Sequence, residues 1–310
     1  MQIEQELAEL SPGKDMLLTV GVFDGVHLGH KYLISQLKEL ARQRNLLSGV
    51  VTFSQHPQAV LSPQTKQPFL TDLSQRINRL KNEGVEAVIT LSFTRELAQL
   101  SARQFVSLLK EYLRMQGLVI GYDFALGRDQ EGNSNTLRTL GQDMNFSVTV
   151  IPPVIVNGEV VSSTAIRNAL ADGDMKRVHK LSGCPFSLHG RVVSGAGRGI
   201  ELGFPTANLA VNSEQALPAD GVYATWAYIN DQAYPSMTNI GRRPTFGGSE
   251  RTVEVYVLDY NGDLYEHEMK IDIIERLRGE KKFGTAEELR RQIAEDVKQG
   301  RAILDSQGRN

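Results

Sequence analysis

The chain has 310 residues, 41% of them hydrophobic and 23% charged, one cysteine and a formal net charge of −2 at pH 7. That length exceeds what a single core usually organises, so two domains are expected. The near-balanced charge argues against a broad nucleic-acid face, Cys184 alone excludes an internal disulfide framework or a thiolate zinc site, and no apolar run approaches the ~20 residues that span a bilayer. The N-terminal stretch MQIEQELAEL lacks the basic and apolar regions of a secretory leader, so the expectation is a cytoplasmic protein, monomeric or weakly self-associating.

In the first half, apolar runs alternate with helical patterns. LLTVGVF predicts a strand that leads to a helix over YLISQLKELARQRN, with Leu33, Leu37, Leu40 and Ala41 on one face. GVVTF predicts a second strand, and TDLSQRINRLKNEG a helix with Leu73, Ile77 and Leu80 on one stripe, stopping at Gly84. VEAVITLSF predicts another strand, SARQFVSLLKEYL a helix capped by Ser101, LVIGYDF a fourth strand and FSVTVIPPVIV a fifth. Strands separated by helices need right-handed crossovers, which imply a Rossmann-like, doubly wound parallel sheet with ligands beyond the carboxyl ends of its strands.

From about Leu188 the rhythm changes to short runs rich in valine, tyrosine and threonine: LHGRVV, GVYATWAYI, TVEVYVLDY and EHEMKIDIIERL. DYNGDLY reads as a hairpin, because Asn261-Gly262 suits a turn that needs positive φ. The end, TAEELRRQIAEDVKQGRAIL, is helical, with Thr285 and Glu288 spaced as a capping box. The expected fold is α/β: the parallel sheet over residues 1–184, then a six-stranded antiparallel β-barrel with a terminal helix over 185–310, joined near KLSGCPFSLHG.

Two stretches carry anion chemistry in the first half. GVFDGVHLGH, Gly21 to His30, follows the first strand. With a helix beginning at Leu28, His27 and His30 lie one turn apart where open N–H groups and the helix dipole favour anions. Gly21, Gly25 and Gly29 let backbone approach a phosphate, and imidazole N–H donors suit oxygens whose charge grows in a transition state. The spacing is also compatible with a capped turn carrying two surface histidines. A metal site would need further ligands and leave the glycines unexplained. In VVSSTAIRNAL, Ser162, Ser163 and Thr164 stand at a strand-to-helix junction and Arg167 follows Ser163 by one turn, a set suited to a polyphosphate.

The second half has its own candidates. GRVVSGAGRGIELGFPTANL joins glycines at 195, 197 and 199 to a Pro-Thr-Ala-Asn tetrad. Thr206 and Asn208 offer oxygens on one side of an extended segment, which suits Mg²⁺ bridging phosphates. No G-K-[ST] follows, so this is not a Walker loop. Glu254 alternates with Val253, Val255 and Val257 on a strand, where an acid is either solvated or a placed base.

Together, GVFDGVHLGH and SSTAIR resemble the H-x-G-H and S-S-T-x-I-R pair of the nucleotidylyltransferase superfamily. More narrowly they resemble the adenylyltransferase module of prokaryotic bifunctional FAD synthetases (riboflavin kinase/FMN adenylyltransferase), with VTFSQHP and GYDFALG at that family's second-strand and fourth-strand motifs. The resemblance implies a sheet of the nucleotidylyltransferase type, with ATP bound by Gly21, Phe23, Asp24, Gly25, His27, Gly29, His30, Ser163, Thr164 and Arg167. It makes His27 and His30 catalytic on the phosphates and puts Asp123 on the flavin side. Leu126 stands where relatives usually have Phe, and Ser54-Gln55 where they have an acid or Ser followed by Pro.

The tetrad, GVYATW, NIGRRPTF, VEVYVLDYNGDLY and LRGEKKF are similar, in order, to the riboflavin kinase module of the same family. That implies Gly195, Gly197, Gly203, Thr206 and Asn208 around ATP, with Thr206 and Asn208 as Mg²⁺ ligands. It makes Glu254 the base on the ribityl 5′-hydroxyl and puts Arg278 and Phe283 on the flavin side. The implied function is phosphorylation of riboflavin to FMN and adenylylation of FMN to FAD, with riboflavin, FMN and ATP as partners and neither nucleic acid nor membrane. The rivals are an adenylyltransferase with a silent kinase and a flavin-binding regulator without turnover. A class I aminoacyl-tRNA synthetase shares H-x-G-H, but its lysine-rich signature is absent here and the chain is short.

Overall fold

The structure, a computed structural model, describes residues 2–62, 64, 67–195, 199, 202–242 and 251–306. The chain divides into two compact units, Met1–Ser163 and Thr164–Asn310.

The first unit runs α1 (Gln2–Glu9), β1 (Met16–Val20), α2 (Leu28–Gln43), β2 (Leu47–Phe53), α3 (Pro57–Leu61), α4 (Leu73–Asn82) and β3 (Ala87–Leu91). It continues with α5 (Arg95–Gln99), α6 (Ala102–Leu113), β4 (Met115–Gly121), α7 (Ser134–Met144) and β5 (Ser147–Ile151). The strands are parallel, in the order β3-β2-β1-β4-β5. The chain therefore builds outward from β1 in one direction and then the other, which makes the carboxyl end of β1 the topological switch point where such sheets bind ligands.

The pleat of β1 divides the core. Met16, Leu18 and Val20 pack with Phe105, Val106 and Leu109 of α6, while Leu17 packs with Ile34, Leu37 and Leu80 from the other face. Ser101 caps α6 in a full capping box with Gln104. Helix α2 buries Ile34, Leu37 and Ala41, with Leu33 and Leu40 flanking them, so the expected face is rotated by about one residue. Helix α4 departs further: Leu73 and Ile77 are half-buried, and Arg76 shares the buried stripe with Leu80. The fifth expected strand joins the sheet only over Ser147–Ile151. After Pro152-Pro153, β6 (Ile155–Val156) pairs only with β7 (Glu159–Val160) among the described residues, since proline cannot donate to a ladder.

The second unit contains most of α8 (Ser163–Asp172), then α9 (Met175–Ser182) and a closed barrel of β8 (Phe186–Val193), β9 (Ala207–Val211), β10 (Gly221–Ile229), β11 (Gln232–Arg242), β12 (Arg251–Val257) and β13 (Glu268–Arg278). The barrel closes in the order β10-β11-β12-β9-β8-β13. Inside this unit the Ala219 N–H donates to the Leu170 carbonyl at 2.9 Å and Lys176 pairs with Glu275 at 2.8 Å, which docks α8 and α9 on the barrel.

The expected hairpin at Asn261-Gly262 does not form. β12 pairs with β11 and β9, β13 with β10 and β8, so residues 258–267 cross between strands that are not neighbours. Positive φ falls on Asp259 and Glu266 instead, because β13 must travel to the far edge to close the barrel. The tight hairpin joins β10 to β11 through Asn230 and Asp231, both at positive φ (49° and 63°), the geometry of a type I′ turn. The C-terminal helix (Ala286–Ser306) lays Leu304 against Ala224, Trp226 and Met237 on the barrel's outer face. At its start Thr285 Oγ1 accepts from the Glu288 N–H at 3.2 Å, but the Glu288 carboxylate reaches back to Gly284, one residue earlier than a capping box requires.

Candidate active sites

Behind β1 the backbone turns tightly, with φ of 54° at Phe23, 82° at Gly25 and 42° at Val26. Such angles cost about 1–3 kcal/mol at each non-glycine residue and persist only where packing over-determines them. Phe23 and Val26 are held in the core against Ile34 and Leu37. A Cβ on Gly25 would come 2.9 Å from Leu70 Cδ1. Asp24 faces inward: its carboxylate accepts the Leu70 N–H at 2.9 Å and the Thr71 N–H at 3.1 Å, while the Gly25 N–H donates to Thr71 Oγ1 at 3.1 Å. Asp24 thus shapes the turn from beneath through its side chain.

His27 is the N-cap of α2. Its Nδ1 accepts the His30 N–H at 3.4 Å, so a proton on this ring sits on Nε2. The His30 ring stacks on it with centroids 3.6 Å apart, and Phe23 lies 5.1 Å from His30 on the other side. Burial, reinforced by His27, holds the His30 pKa well below 6.5, so this ring is neutral at pH 7. Its Nδ1 is buried without a hydrogen-bond partner. A Cβ on Gly29 would lie 3.2 Å from the His27 ring and 3.4 Å from the Val161 carbonyl, and one on Gly21 3.1 Å from the Phe23 ring. Gly29 therefore makes room for the His27 imidazole, and Gly21 for the Phe23 ring. The stacked imidazoles at a helix N-terminus form a surface suited to anions.

Ser163 Oγ donates to the Asp24 carbonyl at 3.0 Å and ties the start of α8 to this turn. Thr164 and Arg167 follow on α8, the first exposed and the second half-buried, while Ala165, Ile166, Ala169 and Leu170 are buried. Asp123 is exposed just past β4, the strand beside β1 at the switch point. Leu126 belongs to the core.

On the barrel, register assembles the second set. Asn208 on β9 stands directly opposite Glu254 on β12, which in turn stands opposite Asn239 on β11. Directly opposed residues share a face, so these half-buried side chains form one outer row while Val253, Val255 and Val257 are buried on the opposite face. The glycine loop lies on that row: a Cβ on Gly195 would collide with the Asn208 amide, and one on Gly199 would lie 3.2 Å from Thr206 Oγ1. The Phe204 N–H donates to the Gly199 carbonyl at 2.8 Å, and the Phe204 ring meets Tyr256 edge-on at 5.5 Å. Gly203 has φ +82° and open space where a Cβ would be, so it turns the chain. Gly197, and residues 243–246 of the NIGRRPTF motif, lie outside the described residues. Glu280, not singled out by sequence, enters over Gly241, where a Cβ would strike its carboxylate.

Arg278 and Phe283 come together. The guanidinium sits 5.8 Å from the Phe283 ring centroid and grips Asp296 of the C-terminal helix, Nε to Oδ1 at 3.0 Å and Nη2 to Oδ2 at 2.7 Å. Asp296 escaped the sequence reading because an acid on an amphipathic helix carries no mark of a partner far along the chain. Thr206 and Asn208 supply neutral hard oxygens beside the Glu254 carboxylate, a donor set that fits Mg²⁺ when phosphates and water complete its shell. Among the described residues no group of three His, Cys, Asp or Glu could hold a metal by itself, so the ion would depend on the nucleotide.

Two family models cover these two sites: FAD synthetase matches residues 11–165 and Riboflavin kinase residues 182–304. The chain is 37% identical over 288 residues to the bifunctional riboflavin kinase/FMN adenylyltransferase of Escherichia coli (strain K12), with 92% of each chain covered. It is 36% identical over 306 residues to that of Pseudomonas fluorescens (98% of each) and 35% identical over 287 residues to that of Bacillus subtilis (strain 168) (90% of each). A crystal structure described as a macrolide-efflux protein from Streptococcus pneumoniae is similar with a TM-score of 0.89, 31% identity and 97% of each chain covered. Its description concerns that protein; here, among the described residues, no helix is long and apolar enough to cross a membrane. With one family over the parallel sheet and the other over the barrel, this chain belongs to the bifunctional riboflavin kinase/FMN adenylyltransferases, which convert riboflavin to FMN and FMN to FAD.

Proposed function

We propose the following division of labour among the residues for these two reactions. Residues 1–184 adenylylate FMN and residues 185–310 phosphorylate riboflavin. In the barrel, Glu254 accepts the proton of the ribityl 5′-hydroxyl as that oxygen attacks the γ-phosphorus of ATP. Thr206 and Asn208 would hold Mg²⁺, which neutralises developing charge on the phosphates. Gly195, Gly197 and Gly203 shape the loop along the phosphates, and Arg278 and Phe283 face the flavin. The register that sets Asn208 opposite Glu254 supports this reading, because it puts these two side chains on one row of three strands.

In the parallel-sheet unit the phosphate of FMN attacks the α-phosphorus of a second ATP and pyrophosphate leaves. A phosphate monoester is already nucleophilic near neutral pH, so the site supplies alignment and donors rather than a base. His27 and His30 donate N–H bonds to the triphosphate, aided by Ser163, Thr164 and Arg167 and by the backbone from Gly21 to Gly29. Phe23 and Asp24 act by holding that backbone, and Asp123 lies toward the flavin. The observation that carries the reading is the stacked histidine pair at the N-terminus of α2, at the switch point of the sheet. We place the protein in the cytoplasm, without nucleic-acid or membrane partners, as a monomer or weak homo-oligomer.

The test is one time course. The purified chain is incubated with riboflavin, ATP and Mg²⁺, and flavins are separated by chromatography. FMN should appear first and FAD later. His30→Ala should stop at FMN, while Glu254→Gln should make FAD only from added FMN. Loss of both products in either variant would overturn the division of labour.

A further inference from the structure

We infer that Arg76 is a positioning residue for the adenylyl transfer, a clamp that sets the separation of the histidine turn and the loop that follows β2. The inference rests on the reading above that the histidine turn holds the triphosphate. Arg76 lies on α4 at 0% exposure. A guanidinium gives up several kcal/mol of hydration on such burial, and a methionine of similar length would fill the space without that cost. What the charged group does there is specific. Nη1 donates to the Val22 carbonyl at 2.8 Å and Nη2 donates to the Phe53 carbonyl at 2.9 Å.

Those two carbonyls belong to different loops. Val22 stands between Gly21 and Phe23, at the root of the histidine turn. Phe53 ends β2 and is followed by Ser54-Gln55-His56-Pro57, the motif that stands at the family's second-strand position. Because the guanidinium is a rigid planar fork, it satisfies both carbonyls only while the ends of β1 and β2 keep their spacing. Other bonds stiffen the same frame. Thr52 Oγ1 also donates to the Val22 carbonyl at 3.1 Å, and Arg79, one turn along α4, donates to the Gly25 carbonyl at 3.2 Å. Phe69 covers the guanidinium with its ring centroid 5.6 Å away, and the next two residues are those whose N–H groups bond Asp24. Helix α4 thus holds carbonyls on both sides of Phe23, and through Arg76 it ties that turn to the second loop.

Misplacing reacting atoms by about 1 Å costs on the order of 10²-fold in rate. Arg76→Lys keeps a charge but reaches one carbonyl; Arg76→Met keeps the volume and reaches neither. In the full-length chain, kcat for FMN to FAD should fall about 10-fold in Arg76→Lys and about 100-fold in Arg76→Met, with KM for FMN and ATP within about threefold of wild type. Riboflavin phosphorylation on the same polypeptide should not change. A variant with wild-type thermal unfolding and kcat within about threefold of wild type overturns the clamp, as does a loss confined to KM. If both Arg76 variants unfold the first unit, Thr52→Val decides, since it removes only the second bond on Val22. There kcat should drop about 3–10-fold at unchanged KM, and an unchanged kcat overturns the proposal. His27→Asn run alongside separates the two failures. An active His27→Asn means that the site reading is wrong; an inactive one beside a fully active Arg76→Met means that the clamp alone is wrong.

Discussion

Replacing His27 separates its two duties. The ring caps α2 through Nδ1 and is proposed to donate Nε2–H to the triphosphate, and the two functions differ in size. Loss of an N-cap costs about 0.5–2 kcal/mol, and loss of the stack on His30 about 0.5–1.5 kcal/mol. Removing one preorganised donor to a developing oxyanion costs about 2.7–4 kcal/mol of barrier, or 10²–10³ in rate. Asparagine is a strong N-cap but cannot place an N–H where Nε2 stands, whereas alanine fails at both tasks. His27→Asn should therefore unfold within a few degrees of wild type. His27→Ala, losing about 1–3.5 kcal/mol from cap and stack together, should unfold about 2–14 °C lower, at roughly 2–4 °C per kcal/mol for a unit of this size. Both should lose FAD formation about 10²–10³-fold. The assay is the initial rate of FAD from FMN and ATP–Mg²⁺, with riboflavin phosphorylation as the internal control and thermal unfolding alongside. If His27→Asn makes FAD within about threefold of wild type, His27 is a cap and nothing more, and the donor argument fails.

Glu254→Gln keeps the shape of the side chain and removes the acceptor, so FMN formation should fall about 10²–10⁴-fold while FAD still forms from added FMN; a kinase rate near wild type sinks its role as base. Asp296→Asn strips the charge partner from Arg278, both side chains being largely buried (14% and 5% exposed). It should destabilise the barrel unit by about 3–5 kcal/mol and raise the KM for riboflavin, and a variant that unfolds earlier but binds riboflavin as before would leave Arg278 a structural residue only. His30 stays neutral in the fold below the 6.5 of an ordinary histidine, so between that value and its depressed folded pKa the unfolded chain binds a proton that the folded one refuses. Its contribution to stability is complete above about pH 6.5 and is lost as pH falls below it. Denaturant midpoints from about pH 7 to about pH 5 should decline less steeply in His30→Gln than in wild type, and parallel curves would contradict the depressed pKa.

Much of this protein was legible in its sequence, because the relevant signals are local. A period near 3.6 between apolar runs announces helices packed on a parallel sheet, and short alternating runs announce a barrel; the described strands follow both. The histidine turn and the start of α8 were legible for a similar reason: the turn keeps its glycines and imidazoles, and the helix start its hydroxyls, each within about ten residues of backbone, so spacing carries the local geometry. Turn signals were less dependable. Asn261-Gly262 has the right residues for a hairpin, yet barrel closure sends β13 elsewhere and the type I′ turn falls at Asn230-Asp231.

Tertiary structure alone decided the partners of charged groups. Nothing local distinguishes Arg76, on the buried stripe of α4, from a solvated arginine; its burial is tolerable only because carbonyls 54 and 23 residues away converge on it. Asp24 reads as a ligand in the motif, but its carboxylate is taken up by N–H groups 46 and 47 residues on. Arg278 and Asp296 meet across 18 residues, and Asn208 meets Glu254 only through strand register. Periodicity reports the burial free energy of one element at a time. The desolvation of a charge depends instead on which distant dipoles the topology brings to it, and that is settled only when the chain has folded.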